Sequence, residues 1–147
     1  MTTGKAKGSG VRVERPNRLY VSVGGYLSSS YAVRTWRGRL RYDADTRSAE
    51  SAICEQIEPT EAQWKAFRAA LDRIDVWRWG RRYANPGICD GTQWEVLVAY
   101  ADKKVRSSGD NNYPNDDGSP SGRPGGSRAF ARFARAIKAL LGGKEFG

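Results

Sequence analysis

The sequence contains no histidine, and this absence removes more chemistry than any other feature of its composition. Without imidazole there is no Ser-His-Asp or Cys-His nucleophilic site, no His-ligated zinc, and no side chain whose ordinary titration falls near neutrality. Two cysteines cannot close a four-thiolate metal site. No run approaches the ~20 consecutive apolar residues of a membrane-spanning helix, and Met1-Thr2-Thr3-Gly4-Lys5-Ala6-Lys7 lacks the apolar middle of a secretory signal. A phosphate-binding loop is missing too, because Gly24-Gly25 is followed by neither the required Lys nor a helix. These absences set the expectation of a cytoplasmic protein with no cofactor, no metal and no membrane partner, and they lean against catalysis.

What is present suits one domain. The chain has 147 residues, 39% of them hydrophobic and five of them Trp, enough for a single core but not for two. Its formal charge is +9, unevenly spread. Residues 1–18 carry +4 and residues 120–147 carry +5, leaving residues 19–119 neutral as a block. The usual inference from a basic protein to a nucleic-acid or anionic partner therefore applies to the ends. Residues 1–16 read as a flexible basic arm, residues 17–142 as the domain and residues 143–147 as a tail.

Periodicity supplies the elements. Leu19, Val21 and Val23 alternate with Tyr20 and Ser22, the period-2 mark of a strand with one buried face, and Gly24-Gly25 ends it. Residues 31–42 read as one long strand with Trp36, Leu40 and Tyr42 on one face and Arg37, Arg39 and Arg41 on the other. Residues 43–48 read as a polar turn, and Ile53 and Ile57 bracket a third strand that Pro59 stops. Thr60 and Gln63 form a capping box ahead of Trp64, Phe67, Leu71 and Ile74, one stripe of a helix. Trp94, Val96, Val98 and Tyr100 alternate, residues 101–104 turn the chain, and residues 105–108 return antiparallel. Residues 111–126 have the composition of a flexible surface loop. Phe130, Phe133, Ile137 and Leu141 mark a second helix stopped by Gly142-Gly143. Strands segregated from helices predict an α+β domain in which two amphipathic helices pack on one face of an antiparallel sheet.

Thr60 with Trp64, Trp77 and Trp79, Tyr83-x-Asn85-Pro86, Asp90-Gly91-Thr92-x-Trp94 and Gly109-x-Asn111-x-Tyr113-Pro114 occur in that order. This arrangement resembles a family of small uncharacterised bacterial proteins, over a little more than a third of the chain. The resemblance implies the fold and is almost silent about activity. Residues 115–126 are an insertion relative to that pattern.

The two motifs flanking the hairpin place Asp90, Asp110, Asn111 and Tyr113 near Trp94, Trp77 and Trp79, if Trp94 pairs with Ser107 or Ser108. One reading is a small-ligand or peptide pocket, or an enzyme site built on Asp90, Asp110 and Tyr113. The other is structural, with Asx turns and positive-φ glycines locking the loops, and it takes precedence because these residue types do that work in most turns. Asp110, Asp116 and Asp117 lack the ligand ladder of a calcium loop. Arg37, Arg39 and Arg41 on a strand, and Arg128, Arg132, Arg135 and Lys138 on the last helix, form rows that either track phosphates, with Trp36, Trp77 or Tyr83 stacking bases, or are solvated faces. Cys54 and Cys89 are either paired or, as cytosolic thiols, small buried hydrophobes. The sequence thus predicts a non-catalytic binding or protein-interaction module with an unidentified protein partner, the alternatives being a nucleic-acid-associated protein and an enzyme.

Overall fold

The alternation at Leu19, Val21 and Val23 extends through a whole sheet in the computed structural model, which describes residues 15–25, 29–46, 52–87 and 91–147. Strand β1 (Arg18–Gly25) buries those three side chains and directs Tyr20 and Ser22 to the other face. Strands β2 (Ser30–Trp36) and β3 (Arg39–Asp45) bury Tyr31, Val33, Leu40, Tyr42 and Ala44 in the same alternating way. Then come β4 (Ile53–Ile57), helix α1 (Glu61–Ile74), a 3₁₀ turn (Val76–Arg78), β5 (Arg82–Ala84), β6 (Thr92–Ala99), β7 (Lys104–Asp110) and helix α2 (Arg128–Leu140). The strands form one seven-stranded sheet in the order β4-β3-β2-β1-β6-β7-β5. Among the described residues only the β5–β7 pairing is parallel. The fold is α+β, with a wider sheet than the strand runs in the sequence implied.

Three segments depart from the sequence reading. Residues 31–42 are a hairpin, not one strand. Trp36 pairs with Arg39 around Arg37-Gly38, whose φ values of 53° and 78° are those of a two-residue type I′ turn. The reversal changes which residues share a face: Trp36 leaves Leu40 and Tyr42 and joins Arg39 and Arg41, while Arg37 sits in the turn and off the row. Residues 43–45, expected to open a polar turn over 43–48, continue β3; residues 47–51 lie outside the described residues. Finally β5, in the Trp-Arg-rich stretch, is too short to show a period and exists through its pairing with β7.

Both helices begin as their caps dictate. Thr60 Oγ1 accepts from Gln63 N (3.1 Å) while Thr60 N donates to Gln63 Oε1 (2.7 Å), and Trp64, Phe67, Leu71 and Ile74 are all buried. Asp75 closes α1 with a φ of 61°. Ser127 Oγ accepts from Phe130 N at α2, which buries Ala129, Phe133, Ile137 and Leu140. Gly142 and Gly143 follow with positive φ. These stripes and the buried residues of the sheet belong to one hydrophobic cluster, with Phe130 packed against it half-buried.

The chain keeps packing beyond residue 142. Phe146 is buried against Tyr31, with ring centroids 5.9 Å apart. The Tyr42 hydroxyl donates to Glu145 O at 2.6 Å, and Lys144 Nζ lies 3.1 Å from Glu55. A lone Phe among glycines and charges carries no periodic signal, so a tail was expected there. At the other end Pro16 is buried and the Arg15 guanidinium lies 5.8 Å from the Trp64 ring centre; residues 1–14 of the expected arm lie outside the described residues. The segment 111–126 is pinned. Asn111, Asn112, Tyr113 and Pro114 are buried, Tyr83 donates to Gly118 O (2.6 Å), and Asn112 Oδ1 accepts from Gly122 N (2.7 Å).

Candidate functional site

The hairpin register follows from its turn. Tyr100 N bonds Lys103 O, so Ala99 faces Lys104 and Trp94 faces Gly109, not Ser107 or Ser108. Trp94 is buried, donates from Nε1 to Asn112 O (2.9 Å), stacks on Tyr113 with planes 13° apart, and meets Phe130 at 4.9 Å. Trp79 packs edge-on against Trp94 and Phe133. Asn111, with φ 55°, accepts from Thr92 N (3.0 Å) and donates to Asp110 Oδ1 (3.1 Å). Asn112 accepts from Tyr113 N and Gly122 N and donates to Ala84 O. These residues lock strand ends and a loop. Burial raises the Tyr113 hydroxyl above its usual value, partly offset by a hydrogen bond with Thr92. Asp110 shares a face with its pairing partners Gln93 and Ala84, whereas Tyr113 stacks on Trp94, which faces the other way. Asp90 and Cys89 lie outside the described residues. Trp77 is separate: it donates to Asp72 Oδ1 (2.9 Å) beneath the Arg68 guanidinium, 5.4 Å from the ring centre.

Arg68 is the hub of a network that the sequence reading missed. It bonds Asp72 one helical turn on and Asp102 in the β6–β7 turn (2.8 Å), and lies 4.6 Å from the Tyr100 ring centre. The hydrogen bond that Arg68 donates to Asp102 is the largest influence on the guanidinium pKa, which is raised. For Asp72 burial pushes upward, yet hydrogen bonds from Trp77 and Arg68 outweigh it and the carboxyl is lowered. The network ties helix α1 to the hairpin. Its only sequence signal was the i, i+4 spacing of Arg68 and Asp72.

The charged residues of interest lie on the sheet face opposite the core, where no described residue is buried. Cross-strand partners stand on the same face, so the register fixes rows. One row runs Gln56, Arg41, Arg34, Tyr20, Leu97, Arg106, with Trp36 and Arg39 paired beside it. The next runs Cys54, Asp43, Ala32, Ser22, Glu95, Ser108, Arg82. Beyond it Asp45 pairs with Ser30, and Gly24, Gln93, Asp110 and Ala84 follow one another across β1, β6, β7 and β5. One half of the face is therefore basic and carries long side chains, lined by Arg18, Tyr20, Arg34, Leu97 and Arg106. The other half is an open hollow floored by Ser22, Gly24, Ala32 and Ser108, with Asp43, Asp45, Glu95 and Asp110 around it and, among the described residues, Arg82 as its one cation, at the β5 edge.

Arg34 directly faces Arg41, a like-charge pair that costs stability. Arg41 Nε is buried 3.5 Å from Asp43 Oδ2, an ion-pair contact without hydrogen-bond geometry. The Arg37 and Arg41 guanidinium groups lie 4.6 Å and 5.9 Å from the Trp36 ring centre. Arg34, Arg106, Tyr20, Asp43, Asp45 and Glu95 escaped the sequence reading because only pairing shows that they share this face. On α2, Arg128, Arg135 and Lys138 are exposed and Arg132 is half-buried. Cys54 is free and exposed on the outer face, not a buried hydrophobe.

No helix among the described residues is long and apolar enough to cross a membrane, and no metal-ligand cluster occurs among them. No family model and no curated protein matches the chain.

Proposed function

We propose that this chain is a non-catalytic protein-interaction module that docks its partner on the outer face of the sheet. The observation that carries the reading is the segregation of charge on that face, with arginines on long side chains in one half and carboxylates around a hollow in the other. Arg34 set against Arg41 is a like-charge pair that the Asp43 contact relieves only on the Arg41 side, and a broken local rule of this kind points to a function. We infer further that α1 and α2 both cover the inner face, supported by the single cluster that their stripes share with it. On that arrangement the α2 cations Arg128, Arg132, Arg135 and Lys138 lie on the far side from the strand arginines. A cytoplasmic setting belongs to the same reading, since an exposed free thiol at Cys54 suits a reducing compartment.

Nucleic-acid association is the second reading, favoured by Trp36 standing among Arg37, Arg39 and Arg41 where a base can stack. The carboxylates on the same face weigh against it, because phosphates are repelled there. The enzyme reading has the least support, since Asp110 and Tyr113 face apart. The test is capture by wild type and by the Arg34→Glu/Arg106→Glu double variant, with circular dichroism as the check on folding. The expected result is a partner protein held at low salt and lost with the variant. Capture unaffected by the reversal refutes the docking face. Affinity for single-stranded DNA that falls steeply with salt, and rises when Asp43 and Glu95 are changed to Lys, replaces it with the second reading.

A further inference from the structure

We infer that the partner fitting the outer face is a second copy of this chain, docked face to face about a twofold axis that lies across the strands; this rests on the outer face being the docking surface. The argument is one of symmetry. Charge changes sign along the strand direction, between the row containing Arg41, Arg34 and Arg106 and the row containing Asp43 and Glu95. A twofold along the strands lays arginines on arginines. A twofold across them, passing between the Tyr20 and Ser22 rows, lays the basic half of each copy on the acidic half of the other. That operation also keeps each strand over its counterpart, so Arg41 and Arg39 of β3 meet Asp43 and Asp45 of the facing β3, and Lys104 of β7 meets Asp110 of the facing β7.

A closed isologous dimer needs one patch complementary to itself, and the charges of this face meet that need under the twofold across the strands. Size fits as well. Seven strands spaced about 4.8 Å apart and up to about eight residues long present a face of roughly 800 Å², close to the roughly 800 Å² per partner of a standard stable interface. With Tyr20, Leu97 and Trp36 as its few apolar groups, the contact depends on charge and is sensitive to salt.

The test measures the mass of the full chain by light scattering and sedimentation, from about 0.05 M to about 1 M salt, where screening shortens to about 3 Å. Wild type is expected to be dimeric at low salt and monomeric at high salt. Two charge-reversed chains complete the experiment: one with Arg34→Glu and Arg41→Glu, which places acidic groups in the basic half, and one with Asp43→Lys and Glu95→Lys, which places basic groups in the acidic half. Each alone should dimerise at least about a hundredfold more weakly, and their mixture should form a one-to-one heterodimer. Misfolding cannot produce that recovery. A wild-type monomer at low salt over the accessible concentrations, or a dimer that survives both reversals, overturns the inference. If the wild type is monomeric yet outer-face variants still lose a captured protein, self-association fails while the docking face stands; if capture is also unaffected, both fail.

Discussion

Replacing Gly109 by alanine isolates one steric demand of the fold. Gly109 pairs with Trp94 across the β6–β7 hairpin, and a Cβ at this position overlaps Trp94 Nε1 and Cε2 and sits 2.6 Å from Asn112 O. Its backbone is not in the left-handed region, so the penalty is packing and not φ. The methyl group lies where Trp94 Nε1 donates to Asn112 O, so the indole must move away from its acceptor. Overpacking a filled core costs about 1–3 kcal/mol, and stranding the buried indole N–H costs about 1–3 kcal/mol more. Together these give a loss of about 2–6 kcal/mol, a large part of the about 5–15 kcal/mol that holds a domain. At about 2–4 °C per kcal/mol, Tm should fall by roughly 4–24 °C. The assay is urea unfolding followed by tryptophan fluorescence, beside thermal melting by circular dichroism. Gly87→Ala is the control, since a Cβ there meets nothing within 4 Å, and it should lie within about 0.5 kcal/mol of wild type. If Gly109→Ala unfolds with the control, the account of the Trp94 pocket is wrong.

Other perturbations follow the same logic. Asn112→Ala removes the acceptor of Tyr113 N and Gly122 N and the donor to Ala84 O; it should cost about 2–4 kcal/mol and speed limited proteolysis within residues 115–126. Phe146→Ala removes a buried ring packed on Tyr31 and should cost about 3 kcal/mol in urea unfolding, a result that a dangling tail excludes. Asp72 and Asp102 are both lowered below 3.8, Asp102 by the hydrogen bond from Arg68, so the stability they contribute is full above that pH and is lost as pH falls through their folded values. Wild type should therefore lose its advantage over Arg68→Met progressively in melts below pH 4, apart from the part due to packing on Tyr100.

The helices were legible because their signals are local. A capping box at Thr60 and Gln63 and apolar residues at helical spacing need no distant partner, and Trp64, Phe67, Leu71 and Ile74 are buried as their spacing requires. The first strand was legible for the same reason. The Arg37-Gly38 turn was not: Arg-Gly lacks the Asn or Asp that usually announces a type I′ turn, and missing it put Trp36 on the wrong face. The motif residues Trp94 and Asn111 bond neighbouring backbone, and of the motif glycines Gly91 has a positive φ whereas Gly109 does not. The arginine row was half found, through Arg39 and Arg41.

By itself the sequence determined the α+β class, both helices and the buried stripe of the first helix, because composition and short-range periodicity are properties of adjacent residues. Only the tertiary structure decided which charges become neighbours. Arg34 meets Arg41, and Ser22 meets Glu95, through pairings between strands far apart in the chain. Strand register is set by turns and by burial of the opposite face, and a shift of one residue would send each of these side chains to the other side of the sheet. The +9 net charge is read directly from composition; the division of the open face into a basic half and an acidic half exists only once seven strands are laid side by side.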